Sequence, residues 1–132
     1  MQARRPEELP LVFQHHLNAG DVPGLMAGYY APEVTYAPVP GVILAGPDVE
    51  PAIARLVALG MPIEVTVRHV LENGDTALIV LDWQIPKAAL SGTATDVARR
   101  QPDGTWKCVI DNPHGGAHSV DLRSDIAKAL SG

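Results

Sequence analysis

The 132-residue chain is 46% hydrophobic and 19% charged, a globular composition at a length that suits one domain with its own core. A net charge of −5 with no basic block argues against capture of a nucleic acid backbone or an anionic membrane. The single cysteine, Cys108, excludes an intramolecular disulfide and a zinc site built on several thiolates.

Met1 to Glu8 lacks the apolar run of a signal peptide, and no window is long and apolar enough to span a membrane. A soluble, cytoplasmic protein is expected. Pro6 to Ala19 reads as a helix: Pro6 suits the first turn, Glu7 and Glu8 suit the positive end of the dipole, and Leu9, Val12, Phe13 and Leu17 form one stripe. His15 and His16 are expected in solvent. Gly20 ends this helix and Asp21 caps the next, which carries Leu25, Met26, Tyr29 and Tyr30 until Pro32 stops it. Short strands are expected over Val34–Tyr36 and Val42–Leu44, around the bend Pro38–Gly41. A third helix is expected over Pro47–Leu59, with Val49, Ile53, Leu56 and Val57 inward and Gly60 closing it.

From Ile63 the period becomes two. Ile63, Val65 and Val67 alternate with Glu64, Thr66 and Arg68, and strict alternation puts His69 on the apolar side. Asn73-Gly74 signals a hairpin turn. Thr76–Ile85 is apolar on both sides, so it is expected in the middle of a sheet, with Asp82 as its exception. Ser91–Arg100 comes next, then the turn Asp103-Gly104 and a last strand. On that strand Trp106, Cys108 and Ile110 point one way, and Lys107, Val109 and Asp111 the other. Asp111 is a carboxylate on an otherwise packed strand, expensive to bury unless paired or used. Ser119 to Leu130 has the spacing of a short terminal helix. The order of helices first, antiparallel strands after, predicts a single α+β domain over 1–132 with helices on one sheet face.

Gly20-Asp21, the run Tyr30-Ala-Pro-Glu-Val-Thr-Tyr36, and Asp103-Gly-Thr-Trp106 with Asp111 resemble the NTF2-like superfamily, and the end of the chain its SnoaL-like (DUF4440) branch. The superfamily includes ketosteroid isomerases, limonene-type epoxide hydrolases and SnoaL-like polyketide cyclases. The resemblance implies a strongly curved, mostly antiparallel sheet wrapping a conical pocket, with three helices from the N-terminal half on its concave face and a homodimer through the outer face. Carried over position by position, the ketosteroid-isomerase oxyanion-hole aspartate falls on Asp96, its tyrosine on Phe13 and its base on Pro38. The epoxide-hydrolase aspartates fall on Asp111 and Asp82 and its tyrosine on Tyr36, while Val80 and Pro38 stand where its arginine and asparagine would be. Neither catalytic set is complete.

Strand parity then turns Asp82, Asp96, Val109 and Asp111 toward the pocket. Carboxyls sharing an apolar cavity cannot all stay ionised, which makes Asp111, Asp82 and Asp96 the candidate catalytic residues. Asp82 and Asp111 are expected to titrate as a coupled pair. Tyr36, Phe13, Val109, Val80 and His69 are the candidate ligand-binding residues. Asp111, His114 and His118 have a spacing a metal could use, but no fourth ligand is evident, and neither metal nor cofactor is expected. The expected function is acid–base chemistry (isomerase, cyclase, lyase or hydrolase) on a small apolar molecule. The alternative is a non-catalytic ligand-binding or dimerisation module. Parity also gathers Ile79, Leu81, Trp83, Trp106, Cys108 and Ile110 into one outer patch, the expected dimer face.

Overall fold

The computed structural model describes residues 1–115; His118 and the helix expected over Ser119–Leu130 lie outside them. A 3-10 turn, Pro6–Glu8, leads into α1 (Leu9–Asn18), then α2 (Val22–Gly28), β1 (Tyr30–Tyr36), β2 (Leu44–Ala45), α3 (Val49–Ala58), β3 (Glu64–Asn73), β4 (Thr76–Ile85), β5 (Leu90–Arg100) and β6 (Trp106–Asp111). Asp21 caps α2 by accepting a hydrogen bond from the Gly24 N–H at 2.9 Å. Gly20, at φ +70°, makes the left-handed turn that separates α1 from α2. No helix among the described residues is long and apolar enough to cross a membrane.

The six strands form one sheet in the order β2-β1-β6-β5-β4-β3, antiparallel except for the β1–β6 pair. The three helices cover one face, as the α+β reading predicts. Leu9 and Val12 of α1, Leu25 of α2 and Ile53 of α3 are buried in one core with Ile79, Ala98 and Cys108 of the sheet. The first residues also take part: Ala3 is fully buried and bridges Trp106, whose N–H donates to the Ala3 carbonyl at 2.9 Å. Tyr30 opens β1 instead of ending the second helix, and Pro32 sits inside that strand. His16 is buried, contrary to its expected exposure. It is held between Asp21 Oδ2 at 3.0 Å and the Met1 carbonyl at 3.3 Å.

Two bulges overturn the expected parities. In β3, Val67 pairs with Leu81 but His69 pairs with Val80, so Arg68 is an extra residue. In β6, Cys108 pairs with Ala98 but Ile110 pairs with Val97, so Val109 is extra. Each extra residue reverses the face of the strand beyond it. His69 therefore turns outward and is exposed. Asp111 returns to the face of Trp106 and Cys108, which is the helix-covered face. On β4 that inner face carries Ile79, Leu81 and Trp83, because Ile79 is directly opposite Asp96 and Leu81 opposite Ala94.

The expected dimer patch is thus mostly interior: Ile79, Leu81, Trp106 and Cys108 are buried, and only Ile110 of that set is exposed on the outer face. The outer face of β4 is not covered, since Thr76, Leu78 and Gln84 are exposed. It carries a different apolar row. Leu71, Leu78, Val97 and Ile110 are consecutive cross-strand partners from β3 to β6.

α1 is fastened to the sheet edge through backbone atoms. Asn18 donates to the Ile63 carbonyl at 2.9 Å and accepts from its N–H at 2.8 Å, and Gln14 accepts from the Val65 N–H at 2.8 Å. Opposite Val65 on β4, Trp83 lies over Gly92 and its indole N–H donates to the Pro113 carbonyl at 2.7 Å. A Cβ on Gly92 would stand 2.8 Å from that ring. The ring is pinned by its hydrogen bond and cannot retreat freely. Gly92→Ala is expected to lower stability by about 1–3 kcal/mol through this overlap. Urea unfolding monitored by tryptophan fluorescence checks it, and an unchanged midpoint would contradict the placement of Trp83.

Candidate functional site

Between the helices and the inner sheet face lies a cavity of about 390 Å³. Pro10 and Phe13 of α1 and Leu56 of α3 form one wall; Leu81 and Trp83 of β4 and Ala94 of β5 form the other. Its polar part is made by Asp96, Asp111 and Tyr36, on three adjacent strands. Of the candidate residues, the structure brings these three and Phe13 together. The others are elsewhere. Asp82 faces outward, opposite Thr93, where it accepts from the Thr93 hydroxyl at 2.7 Å and pairs with Arg68 at 3.2 Å. It lines an open polar cleft of about 350 Å³ on the outer side with Glu64 and Thr66. Val80 and His69 share that outer face, and Val109, the bulge residue, is buried without lining the cavity. The expected Asp82–Asp111 pair does not exist; the carboxyl beside Asp111 is Asp96.

Two consecutive tyrosines hold this pair. The Tyr29 hydroxyl donates to Asp96 Oδ2 at 3.3 Å and the Tyr30 hydroxyl donates to Asp111 Oδ2 at 2.6 Å. Neighbours in a strand point to opposite faces, and both rings reach the interior because the chain passes from helix to strand between them. Their centroids are 4.7 Å apart, edge to face. Asp96 Oδ1 accepts the Asn112 N–H at 2.9 Å. Asp96 and Asp111 are only 4% and 7% exposed.

Burial governs how the pair titrates. It pushes the Asp111 carboxyl up to about 6, and the Tyr30 hydroxyl pulls it part of the way back. Asp96 is pushed well above the usual carboxylate range, first by burial and then by the negative charge of Asp111, against the pull of the Asn112 N–H and the Tyr29 hydroxyl. The two carboxyls titrate as a coupled pair, in which the charge of one keeps the proton on the other. The phenols of Tyr29, Tyr30 and Tyr36 are all raised, chiefly by burial, and remain donors. One carboxylate, one carboxylic acid and one phenol thus meet in an apolar space. Acid and base are separated by environment, as proton transfer requires.

Sequence reasoning misses Tyr29, Tyr30 and Ser91, and weighs His114 only for a metal. Tyr29, Ser91 and His114 line the cavity, and the Tyr30 hydroxyl holds Asp111. His114 packs edge-on against Trp83, with centroids 5.6 Å apart. The spacing considered for a metal includes His118, which lies outside the described residues. No group of three or more His, Cys, Asp or Glu suited to a metal occurs among the described residues.

A raised carboxyl favours the folded state most strongly when protonated. The Asp111 contribution is complete below its ordinary value of 3.8 and is lost as pH rises through about 6. Relative to Asp111→Asn, the wild type should lose on the order of 3 kcal/mol of stability between about pH 3.5 and pH 7. Urea melts of both proteins across this range check it; a pH-independent difference would overturn it.

No protein-family model matches the chain, and no curated protein matches it. Solved structures do. A protein from Thiobacillus denitrificans, provisionally assigned as a calcium/calmodulin-dependent protein kinase type II association domain, superimposes with a TM-score of 0.70 at 20% identity, over 85% of this chain and 95% of its own. A protein of the NTF2-like family from Streptomyces avermitilis, provisionally assigned as a dehydratase, gives 0.65 at 23% identity, over 78% and 87%. An NTF-2 like protein of unknown function from Shewanella oneidensis gives 0.67 at 18% identity, over 79% and 91%. At these identities the likeness is one of backbone, and it is consistent across the three: the chain has the NTF2-like fold.

Proposed function

We propose that the protein binds a small apolar molecule in the cavity and moves a proton on it. The observation that carries this reading is the pair of buried carboxyls at the polar end of an otherwise apolar space, one of them raised to about 6. Burying two such groups is costly, and a fold gains nothing from the cost unless they are used. Asp111 is the base, Asp96 retains the second proton, and Tyr36 supplies a further donor. Tyr30 positions Asp111 and Tyr29 positions Asp96. The Streptomyces relative provisionally assigned as a dehydratase fits acid–base chemistry on this fold, although fold alone does not choose the reaction.

A second reading, a binding module without turnover, is favoured by a specific observation. Every fully buried side-chain nitrogen and oxygen among the described residues has a hydrogen-bond partner. A structural network is satisfied in the same way.

Exchange of ligand protons separates the two. We expect deuterium from D2O to enter the carbons beside the carbonyl of 2-decalone when the protein is present, as read by NMR. Asp111→Asn should slow the exchange by about a hundredfold or more while the fold is kept. Binding of 2-decalone without any exchange would leave the module as the better account.

We also propose a homodimer through the outer face, on the row Leu71, Leu78, Val97 and Ile110, in place of the residues that parity alone puts there. Light scattering at about 10 µM should give twice the chain mass, and Val97→Glu should give a monomer. A monomeric wild type would refute it.

A further inference from the structure

We infer that the ligand of the cavity is an apolar amine, held as its ammonium by Asp111 among the aromatic walls. This rests on the reading of the cavity as a small-molecule site and not on turnover.

Charge favours a cation. Among the described residues the cavity is lined by two carboxyls and by no lysine or arginine. With a proton kept on Asp96, ionisation of Asp111 leaves one negative charge that no lysine or arginine among the described lining residues balances. An anionic ligand would double that conflict, whereas a cation cancels it.

Open hydrogen-bonding atoms favour a ligand with several protons to give. Asp111 accepts one side-chain hydrogen bond from a described residue, on Oδ2, and Oδ1 has no partner among the described residues. The Tyr36 hydroxyl has no partner among the described residues, although the residue is only 8% exposed and lines the cavity. Both residues line the cavity. A ketone can use the phenol but offers an ionised Oδ1 only a C–H, a weak donor. An alcohol offers a single proton. An ammonium offers three, enough to serve Oδ1 and the phenol oxygen together.

The walls add a further attraction. Phe13, Tyr29, Tyr36 and Trp83 line the space, and aromatic faces attract cations most when water is excluded. The titratable groups around Asp111 are Asp96 on β5, Tyr29 at the end of α2, Tyr30 and Tyr36 on β1, Cys108 on β6 and His114 beyond it. Of these Asp96, Cys108 and the tyrosines are held protonated by burial. Asp111 is the group whose charge an ammonium would meet.

The test uses one rigid hydrocarbon with three polar groups: 1-adamantylmethylamine, 1-adamantanemethanol and adamantane-1-carboxylate, titrated calorimetrically into the full chain. At about pH 7.5 the amine should bind at least roughly tenfold tighter than the alcohol, and the carboxylate weakest. At about pH 5, with Asp111 protonated, that preference should largely disappear, as it should at about pH 7.5 in Asp111→Asn. Equal binding of amine and alcohol at about pH 7.5, or a preference that persists at about pH 5, overturns the amine and leaves the cavity reading standing. Failure of all three to bind overturns both. The pH series on the wild-type protein decides the matter even if Asp111→Asn does not fold.

Discussion

One residue too many in β6 determines what the interior of this protein contains. Val109 has no partner on β5, and the strand turns over after it. Without that bulge Ile110 would face the core and Asp111 the solvent. With it, an aliphatic side chain is given to the outer face and a carboxyl is driven inward, next to Asp96. Such an exchange is unfavourable for a core taken by itself, because a charge is harder to bury than a methylene group. The fold accommodates it locally: Tyr30 is placed on Asp111, Tyr29 on Asp96, and the Asn112 N–H closes the remaining oxygen of Asp96. The end of α2, the start of β1 and the end of β6 all bear on these two carboxyls.

The same bulge explains where the sequence is legible and where it is not. Element order and type come from period, caps and turns: β4 and the Asn73-Gly74 turn lie where the pattern puts them, and the helices end at Gly20 and Gly60. Face assignments depend on register, and register is not carried by alternation once a bulge intervenes. Arg68 and Val109 look like ordinary members of alternating runs, so alternation turns His69 inward and sets Asp111 against Cys108. The connection from β4 to β5 adds a second difficulty. It passes through a 3-10 turn and Ala89 at φ +54°, so no two-residue hairpin fixes which residues oppose each other. Parity therefore groups Asp82 with Asp96, when its true opposite is Thr93.

The candidate site is legible in part for a related reason. Resemblance to known positions points to Asp96, Asp111, Tyr36 and Phe13, which line the cavity, and also to Asp82, which does not. Strict alternation reaches Asp111 only because two errors cancel: it sets Asp111 on the face opposite Cys108, and it puts Cys108 on the outer face. Tyr29 and Tyr30 leave a signal that reads as helix, a pair of adjacent aromatics just ahead of Pro32. A proline that close to a helix end also suits the start of an edge-like strand, and adjacent aromatics that both need burial mark such a change of period.

The fastening of α1 to β3 uses side chains on the helix and only main-chain atoms on the strand. Such a joint is indifferent to what side chains the strand carries. Ile63 and Val65, the two residues gripped, also line the cavity. Their side chains can therefore be exchanged, and the bore of the chamber widened or narrowed, without loosening the layer that roofs it. The size of the cavity and the integrity of the scaffold are uncoupled at this edge, so one backbone can carry chambers of different bore.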